Sequence, residues 1–533
     1  MPTPPRSTAV ALVAALVAAA APTIAAHAQI AAVNGVRPAK LIIRNATIVD
    51  GNGTPAKGPF DIVVEGNTIT RLVALDPVAL GRNGAGRRPA ADATTAEIDA
   101  TGKYVLPGLI NAHAHLQDDR AGTAQPIDYE LKIWLACGIT AVRDVGSDTR
   151  KALAWRDASA KGTLVAPRLF IYPQFGRPTN ADSARAHVRA LKAMGADGIK
   201  LLGIDRDIMR AMEDEAHKEG MRIAHHVGVE ETNAWDDIHF GTTSIEHWYG
   251  IPDAAIVDGV QAFPSYYNYN NETDRFRWAG HLWREADPKR LDMVLDSMVD
   301  KHVAWVPTFD IYEASRDLQR ARTQPWFIDY LHPTLEDYFR PDPANHGSYF
   351  FGWTSTDETY WKDNYRIWMA AVREFERKGG LVGAGDDAGF IYQMYGFGLL
   401  RELELHQEAG FNPIKVIQHA TFNNARILGK ENELGRVRQG FKADLIVVNG
   451  NPLENLKVLY PTGVDEIKDG KPVHTGGVEW TIKDGIPYNG PTLMREVKQL
   501  VAKARADRAT KADKTQRDDR TPKPNKLDKS ERR

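Results

Sequence analysis

The sequence predicts an α/β protein: a (β/α)8 TIM-like barrel with a small β-sandwich domain formed by both ends of the chain. Three observations carry this. Eight short apolar runs alternate with helical patterns between residues 104 and 389. Strand patterns punctuated by Gly and Asn turns flank them on both sides. Polar side chains gather at the C-terminal ends of the apolar runs, where a barrel of this type places its active site.

Taken in order, residues 1–28 read as a signal peptide. Arg6 supplies a basic start, an Ala-rich apolar stretch follows, and Ala26 and Ala28 suit cleavage after Ala28. The expected mature protein is exported, periplasmic or secreted, with no stable membrane insertion. Residues 38–106 are the first part of the sandwich, with "KLIIRNATIVDGNG", "FDIVVEGNTITRLV" and "AEIDATGKYVLPG" as strands and hairpin turns. Residues 107–428 are the barrel. Its strands are "YVLPGLINAHAH", "ITAVRDVG", "RLFIYP", "GIKLLG", "RIAHHV", "SIEHW", "AWVPTF" and "LVGAGDDAG". Segments such as "SARAHVRALKAMG" and "DIMRAMEDEAHKEG" place apolar residues at helical spacing between them. Residues 429–490 return to the sandwich through "GRVRQGFKADLIVVNGNP" and "GVEWTIKDGIPY". Residues 491–533 are rich in Lys, Arg and Asp and read as a charged, disordered tail, because they offer little apolar surface to bury.

The chain has 533 residues, 43% hydrophobic and 26% charged, with a formal net charge of −2. That composition suits a large globular core and gives no global signal for nucleic acid. Cys137 is the only cysteine. Metal ligands must therefore come from imidazoles and carboxylates.

The strand ends supply them. His113 and His115 lie two apart on strand one and so share a face. Lys200 lies within strand four, His225 and His226 on strand five, His247 at the end of strand six, and Asp386 and Asp387 at the end of strand eight. Such N and O donors suit zinc, manganese or cobalt. A free ammonium on Lys200 facing cations would be costly to bury. Its carbamate would be an anion able to bridge two metals.

These motifs carry a resemblance. "DATGKYVLPGLINAHAH", "ITAVRDVG", "GADGIKLL", "EAHKEGMRIAHH", "TTSIEHW", "GAGDDAGF" and "HATFNNARILG" followed by "LGRVRQGFKADLIVV" resemble the metal-dependent amidohydrolase superfamily. The likeness is to its imidazolonepropionase-like and Xaa-Pro-dipeptidase-like branch, from about Lys40 to Tyr488. It implies a binuclear site, with His113 and His115 on one metal and His225 and His247 on the other. Carbamylated Lys200 would bridge them, and Asp387 would complete the first. Within this resemblance "MRIAHHVG" aligns its first His with the strand-five ligand, which leaves His226 a supporting role. "AGDDAGF" aligns its second Asp with the metal-binding carboxylate, which leaves Asp386 structural.

The implied activity is hydrolysis of an amide or peptide C–N bond by a metal-bridging hydroxide, on a short peptide or N-acyl amino acid. Asp387 would shuttle the proton. Lactone or ester hydrolysis uses the same parts and stays open, as does a mononuclear cyclic-amide hydrolase or deaminase. The chain departs from dipeptidase relatives at "YPQFGRPTN", where they carry Gly-Gly-His, and at Val227, where they carry Tyr. Aromatic-rich segments 251–285 and 310–380 read as substrate walls or a partner surface. Arg275 and Arg277 are candidates for binding a substrate carboxylate. The sequence leaves the substrate and a homo-oligomer open.

Overall fold

The computed structural model describes residues 30–80, 88–227, 232–257, 263–268 and 271–520. The expected signal peptide 1–28 lies outside them, and so does the end of the tail, 521–533. Among the described residues no helix is long and apolar enough to cross a membrane.

Strands from both ends of the chain meet in one nine-stranded sheet. The N-terminal part supplies Ile30–Ala31, Lys40–Ile48, Lys57–Glu65, Thr68–Ala74, Thr95–Asp99 and Tyr104–Pro107, and the C-terminal part Leu445–Val448, Val478–Lys483 and Ile486–Asn489. The halves are joined where Leu445–Val448 pairs antiparallel with Tyr104–Pro107. The sheet turns over on itself along Lys40–Ile48. That strand pairs with Thr95–Asp99 through Arg44 and with Tyr104–Pro107 from Thr47 on. Between the two pairings Asn45 takes a left-handed φ of 60°, a conformation that Asn tolerates better than most residues. Leu41, Ile43, Ile62, Val64, Val105, Leu445, Val447 and Ile482 alternate inward and form the core of this β-rich domain.

The middle of the chain is TIM-barrel-like. Seven of the eight expected strands form parallel ladders, in two sheets. Leu109–Ala114, Ile139–Val145 and Arg168–Tyr172 make one; Gly198–Leu201, Arg222–His225, Ser244–Glu246 and Ala304–Val306 make the other. Every residue of Leu109–Ala114 and Ile139–Val145 is buried, as parallel strands covered on both faces require. The two sheets meet at Pro173, which has no N–H to continue a ladder. There the Lys200 N–H donates to the Pro173 carbonyl at 2.9 Å and the Phe175 N–H to the Lys200 carbonyl at 2.7 Å. The eighth segment makes no ladder of its own. It is held by Trp305 N–H to Leu381 O (2.9 Å), Gly383 N–H to Trp305 O (2.9 Å) and Ala112 N–H to Ala384 O (3.0 Å). Gly385 lets it lie close to the first strand: a Cβ there would sit 2.6 Å from the His113 backbone nitrogen. That approach brings Asp387 beside the two histidines of the first strand.

The charged tail needs correction. The chain continues as helix Gly490–Arg520. Leu493, Met494, Val497 and Val501 form a buried stripe on its first turns, at helical spacing. Its basic residues find partners. Lys498 pairs with Asp329 at 2.8 Å, Arg508 with Glu336 at 2.7 Å, and Arg505 donates to the Leu331 carbonyl at 3.2 Å. This helix docks because it has an apolar stripe and matched charges, features that the mean composition of residues 491–533 conceals.

Candidate metal centre

Three expected ligands converge. His113 lies at the end of the first strand and His115 just beyond it, and Asp387 follows the eighth segment. His115 Nε2 lies 3.0 Å from Asp387 Oδ1, and His113 Nε2 lies 3.7 Å from the same oxygen. Yet Asp387 Oδ1 has no hydrogen-bond partner among the described residues. Its lone pair and the imidazole nitrogens point at a common space rather than at one another, and donors of this kind and placement fit a divalent cation.

The backbone holds this arrangement. Asp386 N–H and Asp387 N–H both donate to the His113 carbonyl, at 3.2 and 2.9 Å. Asp387, His247 and Thr308 all sit in the left-handed region, with φ of 48°, 60° and 48°. Non-glycine residues take that region seldom and at some energetic cost, and such positions cluster at functional sites. Hydrogen bonds also fix the rings. His113 Nδ1 faces Glu246 Oε2 at 2.6 Å, and His247 Nδ1 faces Thr308 Oγ1 at 2.6 Å. Each leaves its Nε2 to the centre.

Lys200 and His247 complete the grouping. Lys200 Nζ is 3.5 Å from His113 Nε2, and His247 Nε2 is 3.8 Å from Asp387 Oδ2. Burial, followed by the charge of Lys200, holds His113 well below the usual histidine range. Burial does the same to His247 and His226, so these rings are neutral, as ligands must be. Burial brings the Lys200 amine down to about 8, against the opposing pull of Glu246 and Asp387.

The expectation for strand five is corrected. His225 does not face the centre. Its Nδ1 meets Asp237 Oδ1 at 2.7 Å on the helix side of the strand, in a buried cluster with Thr242 and Glu213. Its Nε2 has no partner among the described residues. The ring that faces the centre is His226, 4.7 Å from the His247 ring between centroids and stacked on Tyr249. The cause is register. Lys200 pairs with Ala224 across the parallel ladder, and paired residues share a face. Lys200 points inward, so Ala224 and His226 do too, and His225 points out.

Asp386 turns away from the centre. Its Oδ1 accepts from Asn111 Nδ2 at 2.7 Å and ties the eighth segment to the first strand. Burial raises its carboxyl to about 7.

The donors form the floor of a cavity of about 690 Å³. Phe263, Tyr267, Phe276, Leu282 and Phe390 supply much of its apolar wall, and Arg275 lies on its rim. Arg277 is turned elsewhere, 3.5 Å from Asp357 and 3.6 Å from Asp274. The two aromatic-rich segments thus differ in use. Phe263, Tyr267, Phe276 and Leu282 wall the cavity, whereas Trp361, Tyr365 and Trp368 are buried in the core. Two neighbours went unnoticed in the sequence. Glu246 directly precedes His247, and Tyr249 follows it by two; alternation along strand six accounts for Tyr249 but would set Glu246 on the opposite face from His247, and the left-handed φ of 60° at His247 breaks that alternation.

Residues 369–476 match the model of the Amidohydrolase family. The fold is similar to that of an Xaa-Pro dipeptidase with bound methionine, at a TM-score of 0.56 and 21% identity, over 84% of this chain and 100% of that one. It is similar also to a bottromycin amidohydrolase, at a TM-score of 0.62 and 18% identity, over 88% of this chain and 92% of that one. In sequence the chain is 29% identical over 180 residues to a D-hydantoinase of Streptomyces coelicolor. That match covers 31% of this chain and 36% of that protein, about a third of its length. The family match over residues 369–476 agrees with the resemblance to amidohydrolases, and the solved structures share the fold.

Proposed function

We propose that the protein is an exported, metal-dependent hydrolase of amide or peptide-type C–N bonds in a small substrate, working within a closed (β/α)8 barrel. The observation that carries this reading is the convergence of His113, His115 and Asp387, with an unsatisfied carboxylate oxygen, on the floor of the cavity. His113, His115 and Asp387 would hold one divalent ion, zinc before manganese or cobalt. His226 and His247 would hold a second, with Lys200 between them as a carbamate. That modification joins the neutral amine to carbon dioxide and releases one proton. Bound ions would polarise a carbonyl and lower the pKa of water toward neutrality. Asp387 accepts the water proton and returns it to the leaving nitrogen. The apolar wall orients a bulky substrate and excludes solvent from the floor.

The test is metal analysis of the purified mature protein beside a hydrolysis screen of dipeptides, N-acyl amino acids and lactones. Two ions per chain with turnover of the amides is the expected result. Turnover of lactones alone would move the activity to C–O bonds, and one ion would favour a mononuclear cyclic-amide hydrolase. A metal-free, inactive protein after incubation with zinc or manganese would end the proposal.

The strand-five histidines give a separate expectation. His226→Ala should weaken metal binding by at least ~10-fold, through loss of a ligand. His225→Ala should keep its metal and lose stability instead, by about 1–3 kcal/mol, because Asp237 loses its buried partner. Metal titration and thermal melting of the two variants separate these effects. The reverse pattern would show that the inward face of strand five carries His225.

A further inference from the structure

Glu246 and Arg143 form a buried ion pair beneath the centre, and the hydrolytic scheme above gives them no task. Both are fully buried. Glu246 Oε1 accepts from Arg143 Nη2 at 2.7 Å and from Ser244 Oγ at 2.5 Å. Arg143 Nη1 donates to the same Ser244 hydroxyl at 2.9 Å, and its Nε donates to the Ala112 carbonyl. The second carboxylate oxygen, Oε2, meets His113 Nδ1 at 2.6 Å. Three strands are tied together here, the first by His113 and Ala112, the second by Arg143 and the sixth by Ser244 and Glu246.

The chemistry of these groups leaves one proton arrangement. Arginine has donors and no acceptor. A carboxylate has acceptors and no donor. With Oε1 taken by Arg143 and Ser244, Oε2 can only accept, so His113 must carry its proton on Nδ1. Its Nε2 then bears the lone pair and faces Asp387 and Lys200. His247 has no such constraint, because the Thr308 hydroxyl at its Nδ1 can donate or accept.

We infer that the Arg143–Glu246 pair is a positioning device that sets the tautomer of His113 and thereby fixes the affinity of the first metal position. The inference rests on the reading of His113 as a ligand. Arg143 acts at one remove: it occupies one side of Glu246 and so decides what the other side can present.

The decisive variant is Glu246→Gln. An amide offers an oxygen on one side and an NH2 on the other. Its oxygen must turn to Arg143, since two facing donors cannot be accommodated in a buried site. The NH2 then meets His113 Nδ1, the ring must accept there, and the proton moves to Nε2, where it blocks ligation. Nitrogen-15 spectra of the metal-free protein read this directly. The expected result is Nδ1–H at His113 in the unaltered protein and Nε2–H in Glu246→Gln. Competition for zinc alone against a chromophoric chelator should show the tighter-binding ion weakened by ~10–100-fold. In Arg143→Met/Glu246→Gln the amide is free to turn its oxygen to His113, and the tautomer and affinity should recover. Nε2–H at His113 in the unaltered protein would overturn the inference without any variant. So would an unchanged tautomer and zinc affinity in Glu246→Gln. An unaltered protein that shows Nδ1–H yet binds no zinc would instead end the proposed function and leave the tautomer assignment standing.

Discussion

Asp387→Asn should lower kcat by roughly 10²–10⁴-fold, the scale of losing a general acid–base group, while lowering bound metal far less. The substitution is almost isosteric and keeps an oxygen donor toward His115. It should not disturb the backbone. Asp387 is held at φ 48°, and Asn is among the residues that best tolerate that conformation. The Asp387 N–H to His113 carbonyl bond, 2.9 Å, is also untouched. What an amide cannot do is accept a proton from water and deliver it to a leaving nitrogen. Asp386→Asn should be mild in kcat by comparison, because that side chain faces Asn111 and not the cavity. Both variants are to be compared at saturating metal, by kcat and by metal content. An active Asp387→Asn beside an inactive Asp386→Asn would mean that the proton shuttle belongs to the neighbouring residue.

That comparison shows what the sequence could and could not convey. The pair Asp386 and Asp387 was legible because it ends an apolar run with glycines around it, and the resemblance to amidohydrolases chose Asp387 between the two; His113 and His115 share a parity that no register can alter. The choice between His225 and His226 was not legible. A period of two states that neighbours face opposite ways, and it says nothing about which way is in. The phase comes from pairing Lys200 with Ala224, a contact between strands separated by a helix. The tail failed for another reason. Its apolar stripe, Leu493, Met494, Val497 and Val501, is short, and the acidic residues that answer its Lys and Arg lie at 329–337, far away in sequence. Glu246 is a third case. Its neighbour His247 drew attention as a ligand, whereas the role of a buried carboxylate appears only once Arg143 and His113 are seen on either side of it.

Lys200→Ala should abolish most activity and remove at least one metal ion. The side chain is buried at the level of His113, with its amine 3.5 Å from His113 Nε2. An ammonium there would repel cations and occupy the space between the two proposed positions. Its depressed pKa, about 8, keeps a share of the amine neutral near pH 7, on the order of a tenth, whereas an ordinary lysine would be almost wholly charged. The neutral amine is the form that combines with carbon dioxide. The product is a carboxylate at the end of a long side chain, with two oxygens for two ions. The alanine variant leaves a void in place of that group. Acetate or propionate with excess zinc should therefore restore part of the activity, as a free carboxylate takes the vacated position. The unaltered enzyme should in turn reload its metals more slowly from carbonate-free buffer than from buffer with added bicarbonate. Both responses come from the same chemistry, and a merely structural lysine would produce neither. Full activity and two bound ions in Lys200→Ala would remove the bridge from the proposal, and the two metal positions would then have to be held by imidazoles and Asp387 alone.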